Sequence, residues 1–311
     1  MKSSVPQSIA IVGAGALGSY YGAKLARQGA NVKFLLRADL AAVREQGMTI
    51  REMEKEEWRL APAQAFGSTE EIGPVDLVVI GLKTTANGDL DRLIPPLLHE
   101  GTLLLTLQNG LGNEEYLAER WGAERVLGGL CFVCLNRVAP GVIEHYGHGT
   151  LSLGEFGRAP MDRTRAIGAL FAEAGIETNV VENLVTERWR KLVWNIPFNG
   201  LSIASGGRTC DQLLADEGMK LQVRALMIET IAAAAKLGHA IPEDFADFQI
   251  ERTYPMGPYK PSSLIDWQLG RAVEVESIWG EPWRQGIQAG AALPKLELLY
   301  RLLQSVTGHS K

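Results

Sequence analysis

Lys191, Asn195 and Asn199 recur at every fourth residue within the stretch from Glu187 to Ile203. On a helix this spacing stacks one cation and two amides on a single face. Leu192, Val193, Trp194, Ile196, Phe198, Leu201 and Ile203 fill most of the remaining circumference. A helix apolar nearly all round is buried on most sides, and polar groups carried into such a place need partners or a ligand. The chemistry open to a cation flanked by amides is electrostatic: it can stabilise, or give a proton to, an oxygen on which negative charge develops. A structural polar network, or a lysine reaching out to water, would fit the same pattern.

The other end of the chain decides between these readings. Ile9-Ala10-Ile11-Val12 is a short apolar run that ends in Gly13-Ala14-Gly15-Ala16-Leu17-Gly18. A helical pattern follows to Gly29, and then a second strand-like run, Val32-Lys33-Phe34-Leu35-Leu36. Strand, glycines, helix and strand within about 30 residues form a dinucleotide-binding pattern. Gly13 permits the tight turn, Gly15 lets the backbone approach a pyrophosphate, and Gly18 lets helix and strand pack closely. The helix N-terminus offers free N–H groups and positive partial charge to the phosphates.

Arg37 stands where an NAD site would carry an acidic residue, and a guanidinium there suits a 2′-phosphate. Asp39, two residues on, is the acidic residue that an NAD site would use instead. Asp76-Leu77-Val78-Val79-Ile80-Gly81-Leu82 reads as a buried parallel strand and delivers Lys83 at its C-terminal end. Thr102 to Leu107 reads as the next strand and ends in Gln108-Asn109-Gly110. Lys83 and Asn109 are therefore expected on the rim where open α/β sheets bind their ligands.

The elements that must position these groups fall into two sets. Strand-like runs alternate with helical ones up to Ile176–Val181, and beyond Glu182 long helical patterns run to the C-terminus. The expected plan is α/β, a Rossmann-type dinucleotide-binding domain over residues 1–183 followed by a smaller all-α domain over 184–311. The run from Arg51 to Glu57 reads as a solvated hairpin. Pro197 lacks an N–H and crowds the carbonyl of Val193, so the helix should kink between Asn195 and Asn199.

Bulk properties narrow the function. The chain has 311 residues and a formal net charge of -5, long enough for two domains and without the electrostatic footprint of a nucleic-acid or membrane-surface binder. No apolar run reaches the roughly 18 residues of a spanning helix, and Gly13 and Gly15 interrupt the N-terminal run before a signal-peptide core could form. A soluble, cytoplasmic protein is expected. Three cysteines argue against a disulfide framework. Cys131 and Cys134 sit on a strand-like run, where positions i and i+3 point to opposite faces. The histidines are scattered without a ligand pattern, so no metal is expected.

With these residues in place the chain resembles the ketopantoate reductase (2-dehydropantoate 2-reductase) family over nearly its whole length. The match runs through Gly13-x-Gly15-x-x-Gly18, Arg37, Lys83, Asn109-Gly110 and the Lys191/Asn195/Asn199 helix. It continues through Ser262, Asp266, Glu274, Gly280, Gly290 and Pro294. The resemblance implies NADPH-dependent reduction of 2-dehydropantoate to pantoate, in pantothenate and coenzyme A biosynthesis. It assigns the cofactor to residues 13–18 (Gly13, Ala14, Gly15, Ala16, Leu17, Gly18) with Arg37, Lys83 and Asn109. It makes Lys191 the general acid, with Glu274 holding it and bonding the substrate hydroxyl. Asn109, Lys191, Asn195, Asn199 and Ser262 become the substrate ligands. The implied partner is a small 2-oxo acid, with no nucleic acid and no membrane, and a homodimer is compatible with it. Trp279 stands where the family usually has an asparagine, and Glu281-Pro282 replaces a usual apolar run. Reduction of another 2-oxo acid or ketone on the same scaffold, or an idle NADPH-binding sensor, are the alternative functions.

Overall fold

The computed structural model of the chain describes residues 5–53 and 56–308. It divides into two compact units. One comprises the chain up to Gln108 together with Asn113–Leu184, and the other comprises Asn109–Gly112 together with the chain from Val185 onward.

The first unit is built on a ten-stranded sheet. Its strands are β1 Ile9–Val12, β2 Val32–Leu35, β3 Met48–Glu52, β4 Glu57–Leu60, β5 Gln64–Phe66, β6 Leu77–Ile80, β7 Leu103–Thr106, β8 Val126–Ala139, β9 Val142–Glu155 and β10 Thr178–Val180. The order is β4-β3-β9-β8-β7-β6-β1-β2-β5, with β10 pairing β9. The apolar runs of β1 and β6 are fully buried because helices cover both faces of a parallel sheet. β1 lies between β2 and β6, parallel to both. Strand order reverses there, which makes the end of β1 the switch point where such sheets take ligands.

One stretch is more regular than its sequence suggests. β8 and β9 form a long antiparallel ribbon, and β9 also pairs β3 in parallel. The sheet is therefore mixed. The Arg51–Glu57 hairpin joins β3 to β4, and its tip residues Glu54 and Lys55 lie outside the described residues.

In the second unit the described residues form helices and no strand. The longest is Leu184–Ala204, which carries through Pro197 without a break. Neighbouring carbonyls are used by side chains: the Asn195 carbonyl accepts from Asn199 Nδ2 at 3.1 Å, and the Ile196 carbonyl from Trp279 Nε1 at 2.9 Å. Helices Glu217–Lys236 and Pro294–Val306 pack with it around Trp189, Val193, Ile196, Leu226, Trp279 and Leu299. The expected plan, a Rossmann-type α/β domain followed by a smaller helical one, is the plan observed. No helix among the described residues is long and apolar enough to cross a membrane.

Candidate active site

The glycine turn has a separate steric reason for each glycine. Gly13 adopts φ +95°, and a Cβ there would lie 2.3 Å from the Leu82 amide nitrogen. A Cβ on Gly18 would lie 2.4 Å from the Gly13 carbonyl oxygen. Gly15 is the opposite case: it is exposed, and a Cβ would meet nothing within 4 Å. The first two glycines close the turn, and the third leaves open the space a ligand would fill. Ala14 is buried, whereas Ala16 and Leu17 keep part of their surface open. The helix Ala16–Arg27 starts from Gly15 with no side-chain cap and no acidic residue in its first turn. Its N–H groups and positive end remain free for an anion.

Arg37 follows β2 with its side chain 63% exposed, and its Nη2 donates to Asp89 Oδ2 at 2.7 Å. That pair holds the Asp89 carboxyl below its usual range. A surface ion pair of this kind is weak and screened by salt, so a phosphate dianion can take the guanidinium from it. Asp39 does not offer the NAD alternative. It is 5% exposed, and its carboxylate accepts from Arg137 Nη1 at 2.9 Å and from the Gly141 amide at 3.1 Å. The open glycine turn, the uncapped helix and the accessible guanidinium together fit a dinucleotide bearing a 2′-phosphate. Lys83 lies just beyond β6, partly exposed, at the start of a single turn Thr84–Ala86.

Sequence reasoning missed a set of amides around the end of β7. Gln108 Nε2 donates to Asn87 Oδ1 at 2.7 Å, Asn87 Nδ2 donates to Asn113 Oδ1 at 3.2 Å, and Thr106 Oγ1 donates to Gln108 Oε1 at 2.9 Å. These bonds pin both ends of the segment 109–112. The available signal was a run of amides directly after an apolar strand.

In the second unit Lys191 Nζ donates to Asn109 Oδ1 at 2.8 Å. The segment carrying Asn109 is held by a single π-helical turn, Glu276–Gly280. The Leu111 amide donates to the Ser277 carbonyl at 2.9 Å, and Gly110, at φ +84°, would place a Cβ 2.1 Å from that same oxygen. Glu274, partly buried, opens this turn; its carbonyl accepts from the Ile278 amide at 3.2 Å. Single π turns are rare and concentrate at functional sites. Here the turn joins the backbone after Glu274 to that of Leu111, two residues beyond Asn109.

The two helix amides have different surroundings. Asn199 is 2% exposed; its Nδ2 donates to the Asn195 carbonyl, and its Oδ1 accepts the Ser263 amide at 3.0 Å. That second bond anchors the start of the helix Ser262–Gln268 and leaves Ser262 exposed at its first position. Asn195 is 8% exposed, and among the described residues its side-chain amide has no hydrogen-bond partner. Its amide atoms are not sealed from solvent, so they are open to a ligand. Trp279 is fully buried in the helical core with its indole on the Ile196 carbonyl, so the substitution noted in the sequence is absorbed by packing.

Comparison with known proteins agrees over the same span. Residues 9–158 match the family model described as ketopantoate reductase PanE/ApbA, and residues 183–307 match the model of its C-terminal part. A 2-dehydropantoate 2-reductase of Nostoc sp. is 40% identical over 307 residues, covering 97% of this chain and 96% of the relative. A second, from Mesorhizobium japonicum, is 30% identical, with 95% and 96% covered. The crystal structure of 2-dehydropantoate 2-reductase from Geobacter metallireducens GS-15 superposes with a TM-score of 0.93 at 44% identity, covering 96% of this chain and 99% of that one.

Proposed function

The chain belongs to the ketopantoate reductase family, and from that premise we propose that it reduces 2-dehydropantoate to pantoate with NADPH in the cytoplasm. When bound, NADPH supplies the hydride that ends on the ketone carbon of the 2-oxo acid. The remaining work falls to the chain. As the carbon–oxygen π bond opens, negative charge collects on the former ketone oxygen. The Lys191 ammonium stabilises that charge and transfers its proton, so that the product leaves as an alcohol.

Residues 13–18 hold the pyrophosphate at the helix N-terminus, Arg37 holds the 2′-phosphate, and Lys83 holds the cofactor ribose. Asn109 keeps Lys191 Nζ in place and completes the site beside the nicotinamide. Asn195 and the Ser262 hydroxyl bond the polar groups of the 2-oxo acid, and the Glu274 carboxylate bonds its terminal hydroxyl. Asn199 acts one step back, positioning Ser262. This assignment differs from the direct substrate contact that the sequence suggested, because both ends of its amide are already bonded inside the protein.

One observation carries the reading: a lysine held by Asn109, on a helix where the amide one turn on makes no side-chain hydrogen bond among the described residues and is not sealed from solvent. An idle cofactor-binding sensor has no use for either feature. The deciding assay follows NADPH absorbance with 2-dehydropantoate and identifies pantoate as the product. An analogue without the terminal hydroxyl should fall at least about tenfold in kcat/KM, because a site built around a hydroxyl is left unpaired without it. Glu274→Ala should shrink that ratio. Equal use of the analogue, or no turnover of either compound, would transfer the assignment to another ketone.

A further inference from the structure

Among the described residues 191–200, Lys191 and Trp194 alone keep part of their surface open, and every other one is buried. Trp194 lies one turn on from Lys191 and next to Asn195, so all three share one side of the helix. A tryptophan is the side chain with most to gain from full burial, yet this one stops short beside the lysine. It is also held in place. Its Nε1 donates to Thr253 Oγ1 at 2.9 Å, and that hydroxyl donates to the Gln249 carbonyl at 2.7 Å. The ring lies 4.9 Å from Phe198 and 6.1 Å from Tyr259, centroid to centroid. The polar edge of the indole is thus turned into the protein, and the surface left open is apolar and fixed.

We propose that Trp194 determines substrate specificity, forming a rigid apolar wall for the carbon chain next to the ketone of a branched aliphatic 2-oxo acid. The inference rests on the reductase reading given above. A ketone oxygen at Lys191 brings its neighbouring carbon within reach of a side chain one helical turn away, since such neighbours lie about 5–6 Å apart at Cβ. Two methyl groups on that carbon offer the ring a compact apolar surface. An aryl side chain extends further and meets the wall. Asn195, on the other flank of Lys191, bonds the polar end, so the two flanks sort the substrate's apolar and polar parts.

The test compares kcat/KM for 2-dehydropantoate, 3-methyl-2-oxobutanoate and phenylpyruvate in the unmodified protein, Trp194→Ala, Trp194→Phe and Thr253→Val. A single methylene changes kcat/KM by about 10–200-fold in an apolar pocket. Trp194→Ala is therefore expected to move the ratio of phenylpyruvate to 2-dehydropantoate upward by at least about tenfold, with the NADPH dissociation constant unchanged. Trp194→Phe, which keeps a flat apolar ring, should stay within about threefold of the unmodified ratio. Thr253→Val, which frees the indole without truncating it, should lie between them and serves if the alanine variant fails to fold. An unchanged order of preference in Trp194→Ala, or in Thr253→Val where it stands in, overturns the inference while leaving the reductase reading intact. An unmodified protein that reduces none of the three overturns both.

Discussion

Lys191 Nζ donates to Asn109 Oδ1 at 2.8 Å, which ties the cation of the long helix to the segment that follows β7 in the chain. A proton donor must be held still to act at one oxygen, and an amide oxygen holds an ammonium without neutralising it. Lys191→Ala should keep NADPH binding, measured by fluorescence titration, and lose turnover by roughly a hundred- to ten-thousandfold. Near-full turnover without the side chain would reduce Lys191 to a packing residue.

The Arg37–Asp89 pair makes cofactor choice testable from both partners. Losing a charge-assisted bond to the 2′-phosphate is worth about 1.5–3 kcal/mol, so Arg37→Ala should erase roughly a ten- to hundredfold preference for NADPH over NADH. Asp89 competes for the same guanidinium with its side chain 41% exposed. Asp89→Asn should tighten NADPH by no more than about fivefold, the worth of a surface ion pair, and leave NADH unaffected. Equal use of the two cofactors by the unmodified protein would remove Arg37 from the site.

Gly110→Ala should be costly for two reasons, the φ of +84° and a Cβ 2.1 Å from the Ser277 carbonyl. Left-handed backbone alone costs a non-glycine residue about 1–2 kcal/mol, and the clash would also push the Leu111–Ser277 bond apart. Both thermal stability and turnover should fall. Gly88→Ala is the control. It lies in the helix Asn87–Leu93 with nothing within 4 Å of its Cβ, where alanine should be neutral or stabilising by about 0.4–1 kcal/mol.

The fold was legible where local sequence carries the constraint. Glycines at 13, 15 and 18 between two apolar runs have one compact solution, and the four-residue spacing of Lys191, Asn195 and Asn199 has one helical face. What the sequence hid depends on distant partners. Asp39 kept an NAD alternative open beside Arg37 until the fold brought Arg137 and the Gly141 amide onto its carboxylate. The π turn at Glu276–Gly280 has no local signature, because its register answers to the Asn109–Gly112 segment. Trp279 stood out as a departure from the family pattern and lies in the core, for nothing in a sequence says which way an indole on a buried turn will point.

The two asparagines that the sequence could not tell apart should separate by experiment. Asn199 is bonded at both ends of its amide, and its removal would leave the buried Ser263 amide without its partner. Asn199→Ala should therefore lower unfolding stability by about 1–3 kcal/mol, and lower activity through a displaced Ser262. Asn195 makes no such bond among the described residues, so Asn195→Ala should leave stability unchanged or raised. Its effect should appear in kcat/KM for the 2-oxo acid instead, lost by roughly ten- to a hundredfold if its amide meets the substrate's charged group. Denaturant melts and steady-state kinetics on the pair decide the matter. If Asn195→Ala proved the unstable variant and Asn199→Ala the one with raised KM, the roles given to the two amides would have to be exchanged.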